Sequence, residues 1–189
     1  MPDPARRTRS RWIFVLIAFA IVAVDLVVKH LTVTVLEHRG PVRLFGGALY
    51  LVHVRNSGAA FSLGEGYTFI FPIIATVVIG WILWMTRRLA STPWAIALGL
   101  VLGGALGNLG DRIFRAPGPF VGHVVDMFSL FDDHGGVFAV FNVADSALSV
   151  GVVLAVILEF TGRRRDGSRV TKAQPGTAGE HEGDREQGG

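Results

Sequence analysis

Four long apolar runs constrain this chain more than any other feature of its sequence. They cover about residues 12–36, 69–85, 93–109 and 138–160. A helix needs about 17 to 25 predominantly apolar residues to cross a hydrocarbon core about 30 Å thick. We therefore predict an all-α integral membrane protein with four transmembrane helices, in which residues 12–160 form the membrane domain.

The charged residues lie mainly near the two ends of the chain. Residues 1–11 form a basic N-tail, and residues 161–189 are rich in Gly, Arg and Glu without an apolar period, which predicts a disordered C-tail. With four spans, both tails and the Arg87–Arg88 connection lie on one side and hold most of the 18 Lys and Arg residues. By the positive-inside rule, both termini are expected in the cytoplasm. Because these anchors account for the basic pI, nucleic-acid binding is not expected.

Polar residues interrupt the apolar runs at a similar depth. At a rise of 1.5 Å per residue, Asp25 lies about 20 Å along the first span, and Asn108 and Arg112 lie about 22 to 29 Å along the third. Asp145 lies about 27 Å from the basic anchors that follow the fourth span. Ionisable residues inside a span mark a functional site or an internal ion pair, and Asp25 with Lys29 at i+4 also fits a simple pair.

The fourth span begins with a polar stripe. Asn142, Asp145, Ser146 and Ser149 share one helix face, which predicts a water-accessible cleft. Small residues repeat every four positions in the third and fourth spans, at Gly99, Gly103 and Gly107 and at Ala147, Gly151 and Ala155. Such ridges let helix backbones approach closely, so these two spans are expected to pack tightly.

The two long loops, residues 37–68 and 110–137, are expected on the outer face. Residues 49–54 alternate with a period of two, which predicts a strand in a small β-rich region on the outer membrane surface. The segment "NSGAAFS" follows, and its Asn56 and Gly58 favour a turn.

The sequence gives only weak support to two other kinds of catalytic site. A serine triad would combine Ser57, Ser62 or Ser146 with His53 or His123, but the sequence has no G-x-S-x-G motif. A metal site would draw on His123, Asp126, Asp132, Asp133 and His134, but no H-E-x-x-H pair fixes its geometry. The absence of cysteine excludes a thiolate nucleophile and a sulfur-rich zinc site. We expect no metal and no cofactor, and we interpret "DDHGG" as a connecting turn.

Asp126 in the second outer loop and Asp145 in the fourth span remain as a candidate pair. Two neighbouring carboxyls share a proton and titrate together. One then takes a proton from water while the other polarises a carbonyl and protonates the leaving amine. Such a pair predicts peptide hydrolysis. A small ion or solute transporter that uses Asp25, Lys29 and Asp145 is the alternative.

From about residue 12 to residue 160 the sequence resembles the lipoprotein signal peptidases, also called signal peptidase II, of bacteria. The resemblance is carried by an ordered set of blocks: Asp25 with Lys29, "NSGAAFS", "GGALGNLGDR", "VVDM" and "FNVAD". It implies a membrane aspartyl endopeptidase that cuts prolipoproteins before a diacylglyceryl-modified cysteine. Its partners would be those substrates and membrane lipid, and its active site would face outward from the bacterial cytoplasmic membrane.

The resemblance also implies residue roles. Asp126 and Asp145 correspond to the catalytic dyad. The positions around the substrate are Asn56, Gly58, Asn108, Arg112 and Asn142, with Asp25 close behind them. Arg112 is expected to hold a backbone carbonyl or Asp111. Met127 departs from the pattern, because a bulkier residue such as Phe is expected there, and this difference is expected to affect the shape of the pocket but not the acid–base roles.

Overall fold

The computed structural model describes residues 3–58 and 68–169. Residues 59–62 of the "NSGAAFS" block, with Ser62, and the predicted tail from residue 170 onward lie outside that part of the chain. The helices are α1 (Pro4–Leu36), α2 (Ile70–Met85), α3 (Thr92–Phe114) and α4 (Val143–Phe160). The strands are β1 (Val42–Leu44), β2 (Leu49–Asn56) and β3 (Val124–Leu130), and short 3-10 turns cover Phe45–Gly47 and Thr86–Arg88.

The four apolar runs form four helices, each long and apolar enough to cross a membrane, as predicted. Their ends differ from the prediction. α1 begins at Pro4 rather than at residue 12, because Asp3 accepts a hydrogen bond from the N–H of Ala5 and Pro4 favours a first helical turn. Most of the predicted N-tail is therefore helical. α4 begins at Val143 rather than at residue 138, because Asn142 caps it.

α3 is the central helix of the bundle. More than half of its apolar window is buried (56%), against 17% to 22% for the other three helices. The core residues Trp94, Leu98 and Leu102 of α3 pack with Phe14 of α1 and Leu158 of α4. α1, α2 and α4 expose large apolar side chains outward, as expected where lipid replaces water.

Glycines allow the central helix to approach its neighbours closely, as the small-residue spacing predicts. A Cβ atom on Gly103 would lie 2.9 Å from the carbonyl oxygen of Ala18 in α1. A Cβ atom on Gly151 of α4 would lie 2.8 Å from the carbonyl oxygen of Ala97 in α3. These backbones approach closely enough to exclude a side chain at either position.

The predicted strand is β2, the middle strand of an antiparallel sheet with the order β1-β2-β3. β3 pairs with β2 through Val54 opposite Asp126 and Asn56 opposite Val124, beyond an irregularity between Leu51 and Val54. The sheet lies at the end of the bundle where α1 and α3 finish. It therefore brings the second long loop over the polar residues of the spans.

The described start of the predicted C-tail is an ordered turn. The carbonyl oxygen of Arg163 accepts a hydrogen bond of 2.7 Å from the indole of Trp94. The carbonyl oxygen of Arg165 accepts from the N–H groups of Ala90 and Ser91, at 2.9 and 3.0 Å. Residues 161–169 are thus attached to the start of α3, and the prediction of disorder concerns only the later residues.

Candidate active site

The pairing of β2 with β3 places Asn56 beside Asp126. Asn56 Nδ2 donates a hydrogen bond of 2.9 Å to Asp126 Oδ2. Asn56 Oδ1 accepts from the N–H of Gly58 at 2.7 Å, which fixes the orientation of the amide. Gly58 has a positive φ of 101°, and a Cβ atom there would lie 2.3 Å from the ring of Phe71. The turn therefore requires glycine at this position.

The chain before α4 is held against β3, and this brings Asn142 to Asp126. The N–H groups of Met127 and Phe128 donate to the carbonyl oxygen of Phe141, at 3.1 and 2.8 Å. The next residue, Asn142, is fully buried, and its Nδ2 donates a hydrogen bond of 2.7 Å to Asp126 Oδ1. Both carboxylate oxygens of Asp126 thus accept from an asparagine amide.

Asn142 and Asp145 form a capping box at the start of α4. Asn142 Oδ1 accepts from the N–H of Asp145 at 2.9 Å, and Asp145 Oδ2 accepts from the N–H of Asn142 at 3.1 Å. The positive end of the helix dipole favours a carboxylate in this first turn. Asn142 therefore contacts both aspartates of the candidate pair.

Asn108 of α3 orients the other oxygen of Asp145. Asn108 Nδ2 donates a hydrogen bond of 2.7 Å to Asp145 Oδ1. Its Oδ1 accepts from Lys29 Nζ and from Asn142 Nδ2, both at 3.1 Å. With two donors on its oxygen, the amide nitrogen of Asn108 can only face Asp145.

Lys29 is the centre of a buried ion cluster behind the two aspartates of the candidate pair. The side chain is completely buried, and its Nζ lies 2.7 Å from Asp25 Oδ2 and 2.9 Å from Asp111 Oδ2. Asp25 Oδ1 accepts from the N–H of Ala144 at 2.9 Å, and Asp111 Oδ2 accepts from the N–H of Val125 at 3.1 Å. One ion cluster therefore links α1 and α3 to the start of α4 and to β3.

A cavity of about 170 Å³ opens beside the two aspartates. Its lining comprises Asn56, Phe71, Ala75, Asn108, Leu109, Arg112, Val124, Asp126 and Asp145. The guanidinium of Arg112 lies 5.1 Å from the centre of the Phe71 ring and donates to the carbonyl oxygen of Gly122 at 3.2 Å. The cavity thus joins two carboxyls, amide groups and one cation with apolar walls.

Burial changes the acidity of Asp126, which lies on β3 outside the four spans and is 2% exposed. Desolvation raises the pKa of Asp126 to about 6, against the hydrogen bond from Asn56, which lowers it. The negative charge of Asp145 also contributes to this raised pKa, and the amide of Asn142 lowers it. Asp145 is therefore close enough to affect the ionisation of Asp126.

The comparisons with known proteins identify the family. The family model described as Signal peptidase (SPase) II matches residues 17–161, which is most of the chain. The chain belongs to the signal peptidase II family. The resemblance drawn from its sequence motifs is confirmed, and with its four apolar helices this member of the family is a multi-pass bacterial membrane protein.

Relatives of this signal peptidase II chain are similar over most of their length. A lipoprotein signal peptidase of Streptomyces coelicolor is 52% identical over 87% of this chain and 79% of its own. One of Mycobacterium avium is 47% identical over 84% of this chain and 83% of its own. Two solved bacterial membrane enzymes are similar in fold, with TM-scores of 0.67 and 0.68 at 30% and 28% identity. They cover 77% and 84% of this chain and 91% and 94% of their own.

The structure brings most of the predicted site residues of this signal peptidase II chain to one cavity. Asp126, Asp145, Asn56, Asn108 and Arg112 line it. Asn142 bridges the two aspartates, and Gly58 holds the turn beside Asn56. Asp25 lies behind them, in the ion cluster with Lys29. The roles of these residues stay predictions.

Three details correct or refine the sequence-based expectations. Of the predicted polar stripe of α4, only Asp145 lines the cavity, because Ser149 is exposed and Ser146 donates to the carbonyl oxygen of Asn142. Of the two partners expected for Arg112, the structure shows a backbone carbonyl, that of Gly122, whereas Asp111 pairs with Lys29 and Arg115. Met127 is buried but lies outside the cavity lining, so it does not shape the pocket directly.

The "DDHGG" segment is a turn, as predicted. Both carboxylate oxygens of Asp132 accept backbone N–H groups, from His134 and Gly135 on one side and from Val137 on the other. Within residues 3–58 and 68–169, no three His, Cys, Asp or Glu side chains are grouped in a way that suits a metal ion.

Sequence reasoning left two contributors out of the site. Lys29 was interpreted as half of an ion pair, but it also fixes Asn108. Its position four residues after Asp25 could have suggested a wider cluster, because Asn108 and Asp111 lie at the same depth. Phe71 packs against Arg112 and Gly58, and nothing distinguishes it from the other apolar residues of its span.

Proposed function

We propose that this chain is an aspartic endopeptidase that removes signal peptides from prolipoproteins, cutting before the diacylglyceryl-modified cysteine. Asp126 and Asp145 are the catalytic dyad, and Asn56, Gly58, Asn108, Arg112 and Asn142 position the substrate and the two carboxyls. The single observation that carries this proposal is the paired carboxyls on one cavity, both held by Asn142. The names of the relatives as lipoprotein signal peptidases support the substrate class.

The environments of the two carboxyls favour different roles. Asp145 lines the cavity and accepts hydrogen bonds from Asn108 Nδ2 and from the N–H of Asn142, and these two bonds orient it as the base that takes a proton from water. Asp126 has a pKa raised to about 6 by burial, which favours the protonated form that polarises the scissile carbonyl. Asp145 takes a proton as water adds to the carbonyl carbon, and Asp126 then donates its own proton to the leaving amine as the C–N bond breaks. Transfer of the proton from Asp145 to Asp126 restores the pair.

The position of the cavity suits a lipidated substrate. It lies where α3 ends and where the sheet covers the bundle, so one side faces the spans and the other faces the polar loops. A signal peptide that lies in the membrane as a helix can present its end there while the acyl chains stay in lipid. We propose that this face is extracytoplasmic and that both termini are cytoplasmic, in agreement with the distribution of Lys and Arg.

The test is cleavage of one diacylglyceryl prolipoprotein by the reconstituted protein. Asp126→Asn and Asp145→Asn should each reduce cleavage by at least about a thousandfold, because neither carboxyl can replace the other in acid–base catalysis. The matched control is Asp133→Asn, which removes an exposed carboxylate of the outer turn and should cleave normally. Cleavage near the wild-type rate by either dyad variant would overturn the proposal, and ion or solute flux that needs Asp145 without any cleavage would favour the transporter instead.

A further inference from the structure

A second cavity lies at the opposite end of the bundle from the aspartates. It has a volume of about 270 Å³ and forms where the start of α1, the start of α3 and the C-terminal turn meet. Five arginines from two separate segments line it: Arg6, Arg9, Arg163, Arg164 and Arg169. α3 rises 1.5 Å per residue, so its first residue lies about 28 Å from Asp111.

The positive charge of this cavity is not balanced by a carboxylate in its described lining. Neither Asp nor Glu appears among its described lining residues, and none of the five arginines forms an ion pair within residues 3–58 and 68–169. Asp166 lies in the same turn, and its charge interacts with that of Arg164. Its carboxylate accepts from the N–H and hydroxyl of Ser168, however, and lines a neighbouring cavity. Five positive charges around one cavity repel each other, and an anion bound between them would offset that repulsion.

Neutral donors face the same space. Ser10 is 1% exposed and lines the cavity, so its hydroxyl is a buried polar group of the lining. Ser91, the N-cap residue of α3, makes no side-chain capping bond, so the positive end of the α3 dipole also faces this space. A buried hydroxyl and a helix start without a side-chain cap both offer donors to an oxygen-rich anion.

We propose that this cavity binds a phosphate group. Arginine forks match phosphate oxygens, and together with a hydroxyl and a helix N-terminus they supply the donors that phosphate accepts. Two sources carry this chemistry, the phosphate of an anionic lipid headgroup and free phosphate. The cavity lies at the end of the spans, at the level where lipid headgroup phosphates are found. This inference is independent of the cleavage chemistry.

The test measures lipid retention by the full-length protein. Purified protein in detergent is incubated with dioleoyl phosphatidylglycerol or dioleoyl phosphatidylcholine, and native mass spectrometry counts the lipids retained. The variant Arg9→Gln/Arg169→Gln removes two exposed arginines of the cavity, which leaves the core intact. It should retain phosphatidylglycerol at least about tenfold more weakly, since each basic residue near an anionic lipid adds to the affinity. Wild-type protein should prefer phosphatidylglycerol to phosphatidylcholine.

The matched control is Arg87→Gln/Arg88→Gln, which removes two arginines at the same end of the bundle that lie outside this cavity. It should retain phosphatidylglycerol as the wild type does, and unchanged prolipoprotein cleavage by both variants shows that they fold. Binding of inorganic phosphate to lipid-free protein, lost in the first variant only, assigns the free anion as the source. If the protein retains phosphatidylglycerol but does not bind inorganic phosphate, the lipid headgroup is the source of the phosphate group.

Three results would overturn the proposal. The first is equal loss of lipid in both variants, which means general attraction to a basic surface. The second is binding of neither phosphatidylglycerol nor phosphate. The third is lipid binding that appears only after removal of residues 170–189, which would assign the cavity to the acidic residues of that tail, Glu180, Glu182, Asp184 and Glu186.

Discussion

Lys29 donates a hydrogen bond of 3.1 Å to the side-chain oxygen of Asn108, and this contact determines which way the amide faces. The amide nitrogen of Asn108 then donates to Asp145 at 2.7 Å. A residue buried in the first span thus orients a carboxyl on the fourth span without touching it. The charge of Lys29 is in turn balanced by Asp25 and Asp111.

Lys29→Met is expected to reduce both stability and cleavage. It leaves Asp25 buried without its cation and Asp111 with Arg115 alone, and removing one partner of a buried pair costs about 3 to 5 kcal/mol. It also frees the amide of Asn108 to rotate away from Asp145. Thermal unfolding in detergent measures the first effect, and the rate constant for cleavage measures the second.

Adding Asp25→Asn to Lys29→Met provides the control for that prediction. The second change removes one uncompensated carboxylate while keeping an oxygen to accept from the N–H of Ala144. The double variant should therefore unfold at a higher temperature than Lys29→Met alone but still cleave slowly. A Lys29→Met protein as stable and active as the wild type would show that the cluster has no such role.

Two substitutions at Asn142 separate its structural role from its role in the site. Asn142 caps α4 through Oδ1 and holds Asp126 through Nδ2. Serine also caps helices well but has no second donor, so Asn142→Ser should lose cleavage and the stability that the buried Nδ2 hydrogen bonds contribute, but keep the cap. Alanine loses the cap as well, so Asn142→Ala should lose cleavage and about 1 kcal/mol more stability.

The two Asn142 variants are compared by cleavage rate and by unfolding midpoint under one set of conditions. Equal cleavage by the serine variant and the wild type would mean that the contact with Asp126 is not needed. Equal stability of the serine and alanine variants would mean that the capping contribution is negligible here.

Burial of Asp126 predicts a dependence of stability on pH. Its pKa is raised from 3.8 to about 6 in the folded protein, so the folded state disfavours the carboxylate. The protonated form of Asp126 contributes to the free energy of unfolding, fully below about pH 4, and this contribution is lost as the pH rises through about 6. At about 1.4 kcal/mol per pKa unit, the loss approaches roughly 3 kcal/mol at neutral pH.

Asp126→Asn removes this dependence of stability on pH. The unfolding midpoint of the variant minus that of the wild type should therefore increase between pH 4 and pH 8. An amide at this position meets two amide donors, but that cost is the same at both pH values and cancels in the comparison. Asp133→Asn, a change at an exposed carboxylate, should show no such rise. A constant difference between Asp126→Asn and the wild type across this range would argue against a buried, neutral Asp126.

The sequence predicts those parts of the site that depend on local spacing. Asn142 and Asp145 are three residues apart at the start of an apolar run, and this spacing is sufficient to place both on one helix turn. Equal depth along separate helices likewise predicts that Asp25, Asn108 and Asp145 lie at one level. Both arguments need only the rise of a helix and the length of a span.

The remaining parts depend on contacts between distant segments. Asp126 meets Asn56 because β3 pairs with β2 in one register beyond an irregularity, and no local pattern fixes that register. The ring of Phe71 lies against Arg112 because α2 packs at one rotation about its axis. A uniformly apolar helix does not encode that rotation in its periodicity.

Gly104→Ala is expected to disturb the site through helix packing alone. The new Cβ atom would lie 2.3 Å from the carbonyl oxygen of Ala144 and 3.0 Å from the Cβ atom of Leu148. Backbone atoms cannot rotate away, so α4 must move, and it carries Asp145 beside Ala144. Overpacking of this kind costs about 1 to 3 kcal/mol, and the displacement should lower the cleavage rate although no catalytic group has been changed.

Gly80→Ala is the matched control, because Gly80 lies in α2 with no atom within 4 Å of the position of a new Cβ. It should be neutral or more stable by up to about 1 kcal/mol, since alanine favours a helix over glycine. Unfolding midpoints and cleavage rates of the two variants decide the matter: if Gly104→Ala equals Gly80→Ala in both, close packing of α3 against α4 does not hold the aspartates in place.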